Sequence, residues 1–142
     1  MMTKTRNLDK YAADAAQKMV QDAPNANVKK TYNTLENLVT KSLGVLQSQG
    51  IYAAMLFLFS RSSDEGKMAP FVRENLYALL RKLPAFEQDG ELATFDKKTD
   101  AQKVLAWFSK QVLDDLDTLL LVRDLYVQTL IYARYGAKAR EG

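Results

Sequence analysis

Three carboxylates, Asp114, Asp115 and Asp117, crowd into one short stretch of this chain. Clustered carboxylates can hold Mg²⁺ for metal-dependent phosphoryl chemistry. The rest of such a site is missing from the sequence: there is no Gly-rich phosphate loop, no second acid cluster at helical spacing and no histidine. A small metal-dependent enzyme is thus the weakest of the readings. A solvated helix end or junction is the plainer one, and the cluster would also keep nucleic acid off its side of the molecule. No catalytic residue, metal ligand or cofactor is assigned, and the chain is read as not an enzyme.

A second constellation has the opposite chemistry. Lys30, Thr34, Asn37, Lys41 and Ser48 fall within a narrow arc at 3.6 residues per turn, with Gly44 nearby. Ammonium, hydroxyl and amide groups without carboxylates suit a phosphate backbone. Glu36 lies off the arc. An amphipathic helix needs a polar side in any case, so a plain solvated face competes with RNA binding here. Near the other terminus Arg123, Arg134 and Lys138 share an arc. Cations in a last helical turn also complement the helix dipole, which accounts for Arg140 and leaves Arg134 and Lys138 open. Arg61 has the same bland explanation. Of the fourteen aromatic residues, Tyr132 and Tyr135 beside Arg134 are the better stacking candidates, although a packed seam explains them as well.

The elements that must carry these side chains are helical. Leu8, Tyr11, Ala12, Ala15 and Met19 mark a first helix that ends before Ala23-Pro24-Asn25, with Asp14 and Lys18 spaced for an ion pair. A second helix is expected from Asn27, with Val28, Tyr32, Leu35, Val39, Leu43 and Leu46 inward. Gly50 should end it in a left-handed conformation. The block Ile51–Phe59 has no polar face, which predicts a central helix covered on all sides. At this length it cannot span a bilayer, which takes roughly 20 residues. Ser62–Lys67 reads as a polar loop, and Pro70 as the first turn of a fourth helix closed by Pro84. Residues 85–98 are irregular, with a short hairpin at most. Thr99-x-x-Gln102 resembles a capping box for a fifth helix. From Leu116 to Arg140 the pattern stays helical, with continuity at Arg123-Asp124 undecided. The expected fold is all-α, a compact bundle of about six helices in one domain over residues 1–142.

Composition supports a globular chain, with 47% hydrophobic and 26% charged residues. Without cysteine there is no disulfide or thiolate chemistry. The polar, charged opening through Lys10 has no secretory pattern, and a cytoplasmic location is expected. The net charge of +3 is uneven: residues 1–82 carry +5, residues 83–122 carry −4 and residues 123–142 carry +2. A chain divided this way can bind a polyanion on one side and avoid it on another.

Two stretches carry a family resemblance. Leu43-Gly44-Val45-Leu46-Gln47-Ser48-Gln49-Gly50-Ile51 and Tyr126-Val127-Gln128-Thr129-Leu130 resemble the hinge and closing helix of the small all-helical subunit of the type III-B CRISPR effector, the Cmr complex. The ending Tyr135-Gly136-Ala137-Lys138-Ala139-Arg140 is similar to that family's small and basic terminus. Gln49-Gly50-Ile51 departs from the family's Asn-Gly-Leu, and residues 85–98 match nothing in it. The resemblance implies a non-catalytic, RNA-associated subunit. It would stack in several copies along a filament of larger backbone subunits and line the groove where target RNA pairs with guide RNA. Its partners would be those subunits and RNAs, with no membrane and no small-molecule substrate. On this reading Lys30, Thr34, Asn37, Lys41, Arg134 and Lys138 would touch RNA. A generic helical protein-interaction module, or the equivalent subunit of another CRISPR effector class, is the alternative.

Overall fold

The computed structural model describes residues 3–141, and side chains from Asn7 onward. Met1 and Met2, part of the polar opening read above, lie outside it. The fold is all-α. Seven helices are present among the described residues: α1 (Thr3–Asp22), α2 (Thr31–Gln49), α3 (Ile51–Ser60), α4 (Ser63–Leu80), α5 (Gly90–Ala93), α6 (Ala101–Gln111) and α7 (Leu116–Glu141). No described helix is long and apolar enough to cross a membrane.

The longest helix, α7, organises the bundle. Tyr132 donates to Asp9 at 2.6 Å, and Gly136 packs on Val20, so α1 runs parallel to α7. Arg140 reaches Tyr32 and Lys138 reaches Glu36, so α2 runs antiparallel to it. Asn75 donates to Asp22, and Lys82 lies over Tyr11, which sets α4 antiparallel to α1. Tyr126, fully buried on α7, donates to the Leu76 carbonyl of α4 at 3.0 Å. The core from Ala12, Met19, Leu35, Leu38, Met55, Leu76 and Leu130 is continuous.

Several boundaries differ from the sequence expectations. Asn27 takes a left-handed conformation (φ 57°, ψ 52°) that closes a 3-10 turn over Ala23–Ala26, so α2 starts at Thr31 rather than at Asn27. Asn tolerates this region better than most residues. On α1 the ion pairs are Lys10–Asp14 and Lys18–Asp22, not Asp14–Lys18. Gly50 does end α2, but at φ +100° and ψ −178°, a combination almost restricted to Gly and distinct from the left-handed cap expected. The following helix is not covered on all sides. Ile51, Ala54, Met55 and Leu58 are buried, but Tyr52 and Leu56 are 38% and 48% exposed, because α3 packs on α2, α4 and α6 and leaves its fourth side open.

The expected loop at Ser62–Lys67 is the first turn of α4, which runs through Pro70. Asp64 and Glu65 there complement the helix N-terminus. Gly66 lets this turn fold onto Arg61, since a Cβ at Gly66 would stand 2.9 Å from the Arg61 carbonyl oxygen. No hairpin forms in 85–98. A 3-10 turn (Pro84–Phe86) and α5 hold that stretch, and buried Phe86, Leu92 and Phe95 pack it down. Arg81 donates to the Leu92 and Phe95 carbonyls, and Trp107 donates to Asp89 at 2.9 Å. Arg73, only 8% exposed, donates to the Leu58 and Lys97 carbonyls and lies 4.1 Å over the Phe59 ring. Burial pushes the nearby Tyr77 phenol up to about 12, with Arg73 pulling the other way. The cap of α6 is Asp100, whose carboxylate accepts from the Lys103 amide, rather than Thr99.

Candidate nucleic-acid interface

The antiparallel packing of α2 on α7 decides which basic residues meet. The start of α2 and the end of α7 share one end of the bundle. Lys29 and Lys30, just before α2, and Lys138 and Arg140, in the last turns of α7, are all exposed at that end. Arg134 is one helical turn before Lys138, and it too is exposed. The Arg140 guanidinium lies 4.9 Å from the Tyr32 ring centroid and donates to its hydroxyl at 3.2 Å. A planar cation held against a ring keeps donors free for phosphate oxygens. Tyr135, next to Arg134, is 64% exposed.

Two carboxylates temper this end. Glu36 lies 3.9 Å from the Lys138 ammonium. Its proximity raises the Glu141 carboxyl above its ordinary range, through a hydrogen bond between the two acids. Five cations against two carboxylates still leave an excess of three positive charges at neutral pH. A surface of this kind binds a phosphate backbone electrostatically, with little dependence on base sequence.

The α2 stripe does not stay together as a single face. Lys30 precedes the first helical residue, with non-helical backbone angles, so its helical azimuth cannot be extrapolated. Thr34 is half-buried and Asn37 is exposed. Ser48 donates back to the Gly44 carbonyl at 2.8 Å. Lys41 is bound to Glu65 of α4 at 2.8 Å, and Arg61 approaches the same carboxylate at 3.4 Å. The stripe is therefore not free of acid. Glu65 neutralises its distal half, and only Lys30 joins the cations of α7. Arg61 also stacks on Phe57 at 3.9 Å, which accounts for it within the fold. Tyr132 is engaged by Asp9, so Tyr135 is the free aromatic of the pair.

Two contributors went unseen in the sequence. By spacing Tyr32 reads as core, and by position Arg140 reads as a helix-end cation. Their pairing depends on the register of two helices about a hundred residues apart. The Lys29-Lys30 doublet ahead of Tyr32 was the one available signal.

The acidic cluster lies at the far end of α7. Asp115 accepts from the Thr118 amide at 3.0 Å and from its hydroxyl at 2.6 Å, so it caps the helix, and these bonds hold its carboxyl below the usual range. Among the described residues no three potential ligands gather to hold a metal ion. Comparison with family models, characterised proteins and solved structures gives no match for this chain.

Proposed function

We propose that this chain is a non-catalytic small subunit of a CRISPR RNA-silencing effector, of the kind the Cmr resemblance implies. It would stack along a backbone filament and help hold target RNA on guide RNA. The observation that supports this most is the Arg140–Tyr32 contact, which brings the exposed Lys138 and Arg140 to the end of the bundle where Lys29 and Lys30 precede α2, opposite the acid cluster. In this reading Lys30, Arg134, Lys138 and Arg140 hold the strand backbone. Thr34 and Asn37 lend neutral donors, and Lys41 contributes less because Glu65 already occupies it.

The interaction-module reading draws its support from the same ion pairs. Lys41 and Lys138 both have carboxylate neighbours, as cations on a purely solvated face often do. Purification of the tagged full chain from its source cells separates the two readings. A guide RNA and a repeated backbone subunit should co-purify in stoichiometric amounts. Recovery of the chain without RNA would remove the effector reading.

A further inference from the structure

Tyr135 offers the basic end of the bundle something other than charge. Tyr32 is held by Arg140 and Tyr132 by Asp9, whereas Tyr135 is 64% exposed and engaged by no hydrogen bond or ring contact among the described residues. Its position on α7 fixes its direction. The buried residues of this stretch are Thr129, Leu130, Ala133 and Ala137. At about 100° per residue their mean azimuth lies nearly opposite Tyr135, so the ring stands on the outermost line of the helix. Lys138 follows it by three residues, and Arg134 lies one turn before Lys138, so exposed cations flank the ring. No other exposed apolar side chain has this setting. Tyr52, the other exposed aromatic among the described residues, sits on α3, which carries no charged side chain. The exposed Leu116 and Leu120 at the start of α7 are aliphatic and stand beside Asp117.

We infer that Tyr135 stacks on the base of an unpaired nucleotide whose backbone meets Arg134 and Lys138. A nucleotide carries a flat ring and a phosphate in one unit, which is what an outward phenol ring flanked by cations can engage. Stacking on an aromatic side chain is open to any base, because every base has a π-face. It is closed to a duplex, whose bases already stack on one another and present only their edges. Cations alone do not draw this distinction, since both forms offer phosphates. The ring therefore selects single-stranded RNA. The inference rests on the subunit reading and narrows it: this end takes an unpaired stretch of RNA and not the target–guide duplex.

Fluorescence anisotropy of the full chain at low salt tests this with three labelled probes: an oligouridylate, an abasic strand of the same length, and a blunt RNA duplex. The variants are Tyr135→Leu, which keeps apolar bulk without a ring, and Tyr135→Phe, which keeps the ring. Circular dichroism should show both folded, because the side chain is exposed. Tyr135→Leu should bind oligouridylate about fivefold to a hundredfold more weakly, as expected for one lost stack. Its salt dependence should match that of the unmodified chain, because no phosphate contact is removed. Tyr135→Phe should bind as the unmodified chain does. The abasic strand and the duplex should not distinguish the three proteins. Equal affinity of Tyr135→Leu and the unmodified chain for oligouridylate would overturn the inference, and so would an equal loss on the abasic strand. If Tyr135→Leu keeps its RNA affinity but no longer joins its complex, the ring meets protein and the inference is likewise overturned. Each of these failures leaves salt-dependent binding to phosphates in place. Failure of the subunit reading instead removes binding of all three probes, and the inference with it, so the two failures are distinguishable.

Discussion

The two ends of α7 differ in almost every respect although they belong to one uninterrupted helix of 26 residues. The C-terminal end is level with the start of α2, and its exposed charges are mainly cations, Arg134, Lys138 and Arg140 against Glu141. The N-terminal end carries carboxylates and uncovered leucines. Part of the difference is length. With Arg140 beside Tyr32, the last residue of α2 comes level with about residue 123 of α7, so the first two turns of α7, about 10 Å, project beyond it. Gly50 causes the shortfall, because the chain turns there into α3 instead of continuing alongside. A sharp corner in one helix thereby leaves an apolar overhang on another.

The largest effect that could break this comparison is on stability. Leu130 is 2% exposed in the middle of α7, whereas Leu120 lies on the overhang. Leu130→Ala should cost about 2–5 kcal/mol in urea unfolding, from lost burial plus a cavity. Leu120→Ala should cost under about 1 kcal/mol, because much of that side chain already meets water. Similar losses at the two positions would mean that the overhang is covered in the folded protein.

A smaller effect is expected at the corner that creates the overhang. Gly50→Val places a β-branched residue at φ +100° and should cost about 1–3 kcal/mol. Space is not the obstacle, since an added Cβ meets nothing within 4 Å, so the whole penalty is backbone strain. The exposed change Lys67→Ala should move the melting temperature much less. Equal melting temperatures would place the strain elsewhere and remove the explanation for why α2 stops short of α7.

Helix periodicity and the Gly50 corner were legible in the sequence because both are local. Leu35, Val39, Leu43 and Leu46 are all buried, as their apolar spacing predicts, and α7 runs through Arg123-Asp124 as its pattern allows. Starts were less legible. The α2 start moved to Thr31 because Asn27 adopts a left-handed turn, and the α4 start moved to Ser63 because Gly66 tucks under Arg61. Neither event leaves a periodic trace. The α3 block looked buried because hydropathy reports composition and not neighbours, and no element closes over Tyr52 and Leu56.

The candidate site divides in the same way. Lys30, Arg134 and Lys138 were visible as residue types at suitable spacing. That Lys41 would be taken by Glu65, and that Arg140 would lie on Tyr32, depends on packing between distant segments. Asp114, Asp115 and Asp117 were recognisable as a cluster, but the capping bond from Thr118 that explains Asp115 needs the helix start to be known.

The central claim is that the basic end of the bundle, and not its charge as a whole, holds RNA. The most direct test is target-RNA binding by the assembled complex as a function of salt, comparing Lys30→Glu with Arg140→Glu against Lys97→Glu with Lys98→Glu. Both pairs are exposed and both change the net charge equally. Reversal at the basic end should weaken binding by at least about tenfold near physiological salt, and should flatten the logarithmic salt dependence by about one to two, as expected for two lost phosphate contacts. Reversal of Lys97 and Lys98 should do much less. Equal affinities and equal salt slopes for the two double variants, with both complexes intact, would contradict the account.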